Sequence, residues 1–386
     1  MNRPFIFLGN GKVHFVNAEG AVFPLDSNYA ADLTAKSLKA QERHGWKGES
    51  PMRNSLLGAS LWGKEEPEPL AITFTSIAAG KSSNEFLYTL KTDHLCAICS
   101  VRGEAAEEQR LWNHQSKRLV HLHIHPTLGH IVCSSEKPNG CAHIVIRTVE
   151  DGALAEVTEG DSVDTAPRWI PGEKMAIVFQ SAGVGRTKDG NYAGIGPFAI
   201  HTLEVESGEL KTVAEHTKFD FLTPRILEDG TLYHIKRPYS GNQHASILDH
   251  VKDFFLFPFR LAHAVFGFLN FFSMMYSGRQ LKTVKTADAK NLPAPQLMLW
   301  GNMIKAQQAD PENPNPGLVP KSWQLVRRCA ADGAEEVLAS AVACFDVAGD
   351  GRIVYSNGRV IMEIGADGTK KKIAENAFVQ SVEYLR

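Results

Sequence analysis

Cysteine is scarce in this chain: six among 386 residues, at Cys96, Cys99, Cys133, Cys141, Cys329 and Cys344. So few thiols exclude a disulfide-dense secreted scaffold and suit a reducing compartment. Cys96 and Cys99 form one C-x-x-C, but no second one follows, and Cys133 and Cys141 have the wrong spacing to complete a four-ligand zinc module. An excess of one charge is also missing. Lys and Arg number 41 against 43 Asp and Glu, giving a net charge of −2 and a pI near 6.7. Without a basic field, no nucleic-acid partner is expected.

Catalytic signatures are absent too. No G-x-S-x-G nucleophile motif occurs. The glycine-rich run 179–198 lacks the G-x-x-x-x-G-K-[ST] spacing and lies between strand patterns, so it reads as a long surface loop within one sheet. The first residues lack the apolar core of a signal peptide, because Gly9, Asn10, Gly11 and Lys12 interrupt it, and a cytoplasmic location is expected. Only residues 253–278 approach the length of a bilayer span, with no second run to return.

What is present is a recurring hairpin: an apolar strand, a turn ending in glycine, and a second strand. The turns fall at Gly20, Gly103, Gly152, Gly208, Gly333 and Gly368. Tight hairpins favour glycine there because they need positive φ. A second unit precedes several of them. "TAPRWIPGEKMAIVFQS" (165–181) aligns with "LTPRILEDGTLYHIKRP" (222–238), and 121–135 and 343–357 match more loosely. Joined, the two units make a four-stranded module with about the 40–50-residue period of a propeller blade.

"SVDTAPRWIPGEKMAIVFQS" resembles the repeat of TolB-like, WD40-related β-propellers. Asp164, Pro167, Trp169, Pro171, Gly172, Ile177, Phe179 and Ser181 stand in the places of that pattern, with Ile170 where the family has Ser. The resemblance implies architecture over most of the chain and leaves function open, because propellers host many. The expected fold is all-β: one six-bladed β-propeller over 1–386, of four-stranded antiparallel blades. The last segment, 377–386, is expected to complete the N-terminal blade as its innermost strand, which removes a free sheet edge.

Two insertions are expected. Residues 27–68 carry a helix-like run that Ser27 is placed to cap. Residues 241–321, in the fifth blade, carry the apolar segment, then a further strand near 293–304, then a proline-rich exposed loop over 305–321. A single bilayer crossing by the segment would put two strands of one blade on opposite sides of the membrane. Arg260, His263, Gly267 and Asn270 would fall on one narrow stripe of a helix. The remaining surface includes Phe254, Phe255, Phe257, Phe259, Phe266, Phe268, Leu269, Phe271, Phe272 and Met275, followed by a basic cluster at Arg279, Lys282 and Lys285. Three readings fit: a helix lying in the membrane interface, a helix docked in a partner's groove, or a lid folded back on its own ring.

The metal-like cluster is "HLHIHPTLGH". On a regular strand His121, His123 and His125 share one face, and Asp164 or His130 would supply a further ligand. The three histidines would span about 13 Å at 3.3 Å per residue, too far for one ion to reach them all. The competing reading is histidines hydrogen-bonded between blades. Glu159, Asp161 and Asp164 fit turn capping better than cation binding.

Together these features point to a cytoplasmic, bacterial-style, non-enzymatic scaffold or adaptor that binds protein partners. The apolar helix would anchor it to an assembly or peripherally to the inner face of the membrane, and no cofactor is implied. The alternative is an enzyme, or a small-ligand or metal binder, working at the mouth of the central channel.

Overall fold

The structure is a computed structural model. It describes residues 3–45, 70–103, 107–149, 152–172, 175–186, 192–239, 297–299, 302–304, 316–376 and 378–386. The strands in chain order are β1 (Phe5–Gly9), β2 (Lys12–Val16), β3 (Val22–Pro24), β4 (Thr73–Ala79), β5 (Glu85–Lys91), β6 (Cys96–Arg102), β7 (Glu107–His114), β8 (Arg118–Ile124) and β9 (Ile131–Glu136). They continue as β10 (Ala142–Arg147), β11 (Leu154–Glu156), β12 (Ser162–Trp169), β13 (Ala176–Arg186), β14 (Tyr192–Ile195), β15 (Ala199–Glu204), β16 (Leu210–Ala214), β17 (Phe219–Ile226) and β18 (Leu232–Pro238). The last are β19 (Leu297–Leu299), β20 (Asn302–Ile304), β21 (Gln324–Arg328), β22 (Glu335–Ser340), β23 (Cys344–Val347), β24 (Ile353–Ser356), β25 (Val360–Ile364), β26 (Lys370–Glu375) and β27 (Val379–Tyr384). The helix α1 (Asn28–Gly45) lies between β3 and β4.

Four sheets are four-stranded, in the orders β27-β1-β2-β3, β4-β5-β6-β7, β17-β18-β21-β22 and β23-β24-β25-β26. Each is an antiparallel meander. A nine-stranded sheet holds two further meanders, β8-β9-β10-β11 and β12-β13-β15-β16, joined by one parallel pairing of Ala142 with Val163. The six hairpin glycines all have positive φ, from 65° at Gly152 to 89° at Gly20, so the turn chemistry is that expected of them. β27 pairs antiparallel with β1, from Phe5 opposite Tyr384 to Leu8 opposite Ser381.

Successive side chains of a strand point to opposite faces, so each meander has two apolar faces to bury. Between the β1 and β4 meanders lie Ile6, Leu8, Ile77 and Tyr88. Leu87, Ile98, Leu119 and Cys133 fill the next interface, and Val132, Ile144, Trp169 and Phe179 the one after. Val178, Ile200, Phe221 and Leu232 follow, then Leu222, Ile235, Phe345 and Tyr355. Phe5, Phe7, Val354 and Val382 return the series to β1. The leading strands also pack in cyclic order, β4 on β8, β8 on β12, β12 on β17, β17 on β23, β23 on β27 and β27 on β4.

Local details depart from expectation in three places. The run 179–198 is largely not a loop: β13 continues to Arg186 and pairs with β14, Val184 opposite Ile195. Burial of Val184 favours that strand extension. The end of the proline-rich stretch is not exposed either. Leu318 and Val319 are buried in the core with Trp323, and Leu318 N–H donates to Asn357 O at 2.8 Å. Their apolar side chains outweigh the loop-forming composition around them. The strand expected near 293–304 is a separate two-stranded hairpin, β19 with β20.

The chain leaves its sheet after β18 and returns at β21, which pair directly, Leu232 opposite Arg328. The apolar segment 254–276, with Arg279 and Lys282, lies outside the described residues. Among the described residues no helix is long and apolar enough to cross a membrane. α1 begins as expected at Ser27, whose Oγ accepts from Ala30 N–H at 3.0 Å. A carboxylate reinforces this cap: Glu108 on β7 accepts from Tyr29 N–H at 2.7 Å and from Ser27 Oγ at 2.8 Å, and also from the Tyr88 hydroxyl. An anion at a helix N-terminus is favourable for both hydrogen-bonding and dipole reasons.

Candidate functional site at the centre of the ring

Three successive leading strands share one irregularity. His121, Ala166 and Thr223 adopt left-handed backbone, with φ of 56°, 51° and 51°, and pairing shifts register there in β8, β12 and β17. None is glycine, so each conformation costs of order 1 kcal/mol and must be held by its surroundings. Thr223 N–H donates to buried Gln180 Oε1 at 2.6 Å, and Leu122 N–H donates to Ser76 Oγ at 2.7 Å. Two residues beyond each bulge stands a nitrogen-bearing side chain: His123, Arg168 and Arg225.

Two carboxylates from the last strands meet them. Arg168 Nη2 donates to Glu383 Oε2 at 2.6 Å, and Arg225 Nε donates to Asp346 Oδ1 at 3.2 Å. The other oxygens are also engaged, Glu383 Oε1 by Ala79 N–H at 2.9 Å and Asp346 Oδ2 by Tyr384 N–H at 2.9 Å. Arg225 Nη1 donates to Thr223 O and Pro224 O, and its guanidinium lies 5.7 Å from the centroid of Phe345. Arg386 Nη2 donates to Ile124 O at 3.0 Å.

Enclosure governs the charge states. Burial opposes the charge on Arg168, but attraction and hydrogen bonding to Glu383 outweigh it and hold its pKa above the ordinary value. For Arg225 burial, aided by repulsion from Arg168, wins and pulls the pKa down to about 10. Burial and then Glu383 push Asp346 upward, against Arg225 and Arg168. Both partners of the Arg225–Asp346 pair are thus driven toward neutrality, so burial and like-charge repulsion together exceed the mutual attraction. Burial lowers His121 to about 4 and His123 well below its usual value, with Arg168 and Arg225 adding repulsion in both cases. Neutral imidazoles therefore sit beside the guanidiniums at pH 7.

Of the histidines expected on one strand face, His121 is set apart by the bulge, while His123 and His125 both meet Trp169. His123 Nδ1 accepts from Trp169 N–H at 3.0 Å. His125 Nδ1 accepts from the N–H groups of Thr127 at 3.3 Å and Leu128 at 3.2 Å, and its ring lies edge-on to Trp169. Asp164 is buried and takes hydroxyl hydrogen bonds from Ser181 at 2.6 Å and Ser162 at 3.1 Å. Among the described residues no three His, Cys, Asp or Glu side chains gather in a group that could hold a metal ion. Cys96 and Cys99 lie on opposite faces of β6, in different apolar clusters, and burial raises both thiols to about 11.

Sequence reasoning missed Arg168, Arg225, Asp346, Glu383 and Arg386. A signal for the first two was present: Pro-Arg recurs at 167–168 and 224–225 in the two aligned repeats. The acids carry no such mark, because only ring closure brings them to the same point.

A second feature lies on the rim. A cleft of about 580 Å³ is lined by Phe15, Phe23, Pro24, Leu25, Phe86 and Val101, with Asn17, Glu19 and Asn84 among its polar groups. Phe23 is 49% exposed and Val22 41%, adjacent apolar residues at the edge of this cleft.

No protein-family model matches the chain, and no curated protein does. Solved structures do. TolB from Acinetobacter baumannii superposes with a TM-score of 0.51 at 10% identity, covering 99% of this chain and 66% of that one. The tricorn protease matches with a TM-score of 0.47 at 10% identity, covering 98% of this chain and 31% of that one. A protein from Lactobacillus plantarum matches with a TM-score of 0.45 at 12% identity, covering 100% of both chains. The chain thus spans 66% of the TolB structure and less than a third of the tricorn protease. At such identities the likeness concerns fold alone. The closed succession of antiparallel meanders and this superposition together make the chain a TolB-like β-propeller in fold.

Proposed function

We propose that this chain is a six-bladed, non-enzymatic adaptor that binds protein partners on its rim, with the apolar segment 254–276 as a second attachment point. The six-blade reading is supported by the cyclic packing of the leading strands β27, β4, β8, β12, β17 and β23. The observation that carries the adaptor reading is the apolar cleft between the β1 and β4 meanders, with Phe23 standing exposed beside it. A concave apolar surface with an aromatic at its edge is suited to taking a side chain from a partner. At the centre, each carboxylate oxygen of Glu383 and Asp346 accepts from a protein donor, which fits a structural role in tying the leading strands together.

The segment 254–276 supplies a surface too apolar to stand in water, and Arg279, Lys282 and Lys285 follow it. Apolar residues beside a basic cluster fit a membrane interface with anionic lipid, which would hold the ring peripherally at the inner face. The test is deletion of 254–276. The expected result is a folded ring that no longer co-sediments with anionic vesicles or retains its partners in a pull-down. Unfolding of the ring on deletion would instead identify the segment as a lid over its own propeller. Unchanged sedimentation and partner recovery would end the attachment reading.

A further inference from the structure

The centre of the ring gathers three guanidiniums around two side-chain carboxylates. Arg168, Arg225 and Arg386 supply the guanidiniums, and Glu383 and Asp346 the carboxylates. Each oxygen of both acids already accepts one protein hydrogen bond. Arg386 has no carboxylate partner within 4.0 Å among the described residues, and its Nη1 is enclosed without a hydrogen-bond partner. An enclosed guanidinium nitrogen with no acceptor is costly, and the usual remedy is an anion or water supplied from outside.

Neighbouring donors are arranged to share such an anion. Arg168 uses only Nη2 on Glu383, so Nε and Nη1 keep no protein acceptor among the described residues. His123 is tied to the neighbours of both arginines: it accepts from the N–H of Trp169, next to Arg168, and it precedes Ile124, whose carbonyl takes Arg386 Nη2. Its Nδ1 accepts from Trp169 N–H, so in the neutral ring the proton sits on Nε2, which is left as a donor. The Arg168 side chain keeps 12% of its surface accessible although protein surrounds it, as expected of a group lining an internal channel. Oxyanions suit this set, because a guanidinium fork matches two oxygens of a carboxylate or phosphate.

We propose that the centre of the ring is a binding site for a small oxyanion, carboxylate or phosphate, held by Arg386, Arg168 and the Nε2–H of His123. The site is independent of the rim cleft and of the apolar segment, so it stands or falls separately from the adaptor reading. It differs from a metal site in sign: the histidine acts as a hydrogen-bond donor, and the ligand is an anion.

The experiment is thermal denaturation and titration calorimetry of the full chain with sodium phosphate, sodium acetate or sodium citrate, each compared with sodium chloride at equal ionic strength. At least one oxyanion is expected to raise Tm by several degrees beyond chloride. Arg386→Gln is expected to weaken that oxyanion at least tenfold while leaving the melting temperature without ligand unchanged or higher, since it removes a guanidinium without a side-chain carboxylate partner. His123→Gln, which keeps a donor but shifts its position, is expected to weaken binding by a smaller factor. Should His123→Gln misfold, Arg386→Gln and the charge-retaining Arg386→Lys still decide the matter. No oxyanion effect beyond chloride, or an undiminished effect in Arg386→Gln, would overturn the site. Preference for phosphate over acetate and citrate, or the reverse, tells which oxyanion class is the ligand.

Discussion

Arg168 Nη2 donates to Glu383 Oε2 at 2.6 Å, joining β12 to the closing strand β27 across 215 residues of sequence. Glu383 also accepts from Ala79 N–H on β4, so one carboxylate ties together three leading strands of the ring. The side chains are 12% and 4% accessible, which places the pair where a lone charge is costly.

Breaking this pair from one side is therefore expected to be worse than removing it. Glu383→Met should destabilise by about 3–5 kcal/mol, because it strands Arg168 as a buried cation. The double variant Arg168→Met with Glu383→Met should recover much of that loss. Urea unfolding of the two single variants and the double variant measures the coupling. Additive losses in the cycle would mean the pair does not act as a unit.

Acid should destabilise the ring through its neutral histidines. Folding holds His121 and His234 near 4, below the ordinary 6.5, in each case chiefly by burial. A folded pKa below the unfolded one means the unfolded chain takes up protons first as pH falls. Stability is thus present above pH 6.5 and is lost between about 6.5 and 4, by up to about 3 kcal/mol per group. Tm against pH should fall steeply across that window.

His234 allows a sharper version. It is fully buried, lies edge-on to Phe221, and neither ring nitrogen has a hydrogen-bond partner among the described residues. His234→Leu should raise stability at pH 7 by about 1–2 kcal/mol and flatten part of the acid limb. A variant less stable than the parent would mean the imidazole has a partner after all.

Glu108 is expected to govern the start of α1 and the Tyr88 hydroxyl beside it. Glu108→Ala removes the acceptor for Tyr29 N–H and Ser27 Oγ and should cost about 1–2 kcal/mol locally. Hydrogen exchange should accelerate over residues 28–45 while the amides of β17 and β18 keep their protection.

Thiol accessibility checks the packing directly. Cys96, Cys99, Cys133, Cys141 and Cys344 are buried and Cys329 is exposed. The native protein should titrate one fast thiol, which Cys329→Ser removes. Burial also raises Cys344 to about 12, which slows reaction further by suppressing the thiolate. Several fast thiols in the native state would contradict the interfaces between meanders.

Part of this was legible from local signals. Gly208 and Gly333 announce hairpins because their φ values of 71° and 69° suit glycine, and Ser27 announces a cap because its hydroxyl reaches the third amide beyond it. The bulges were not legible. Ala166 and Thr223 carry no intrinsic preference for left-handed backbone, and it is Gln180 on the adjoining strand that receives Thr223 N–H. The expectation that His121 shares a face with His123 and His125 assumed an uninterrupted period of two, which the bulge breaks, whereas His123 and His125 both meet Trp169.

By itself the sequence determined the alternation of strands and turns, the repeat, and the apolar faces that make stacking of the meanders favourable. Those are properties of neighbours along the chain, set by side-chain period and turn chemistry. The tertiary structure decided which charges meet. Arg168, Arg225, Asp346 and Glu383 come from four separate strands and acquire partners only when β27 pairs with β1 and draws the leading strands around one centre. Enclosure there removes water from the guanidiniums and imidazoles alike, and that desolvation disfavours charge on the histidines while the arginines keep theirs beside the carboxylates.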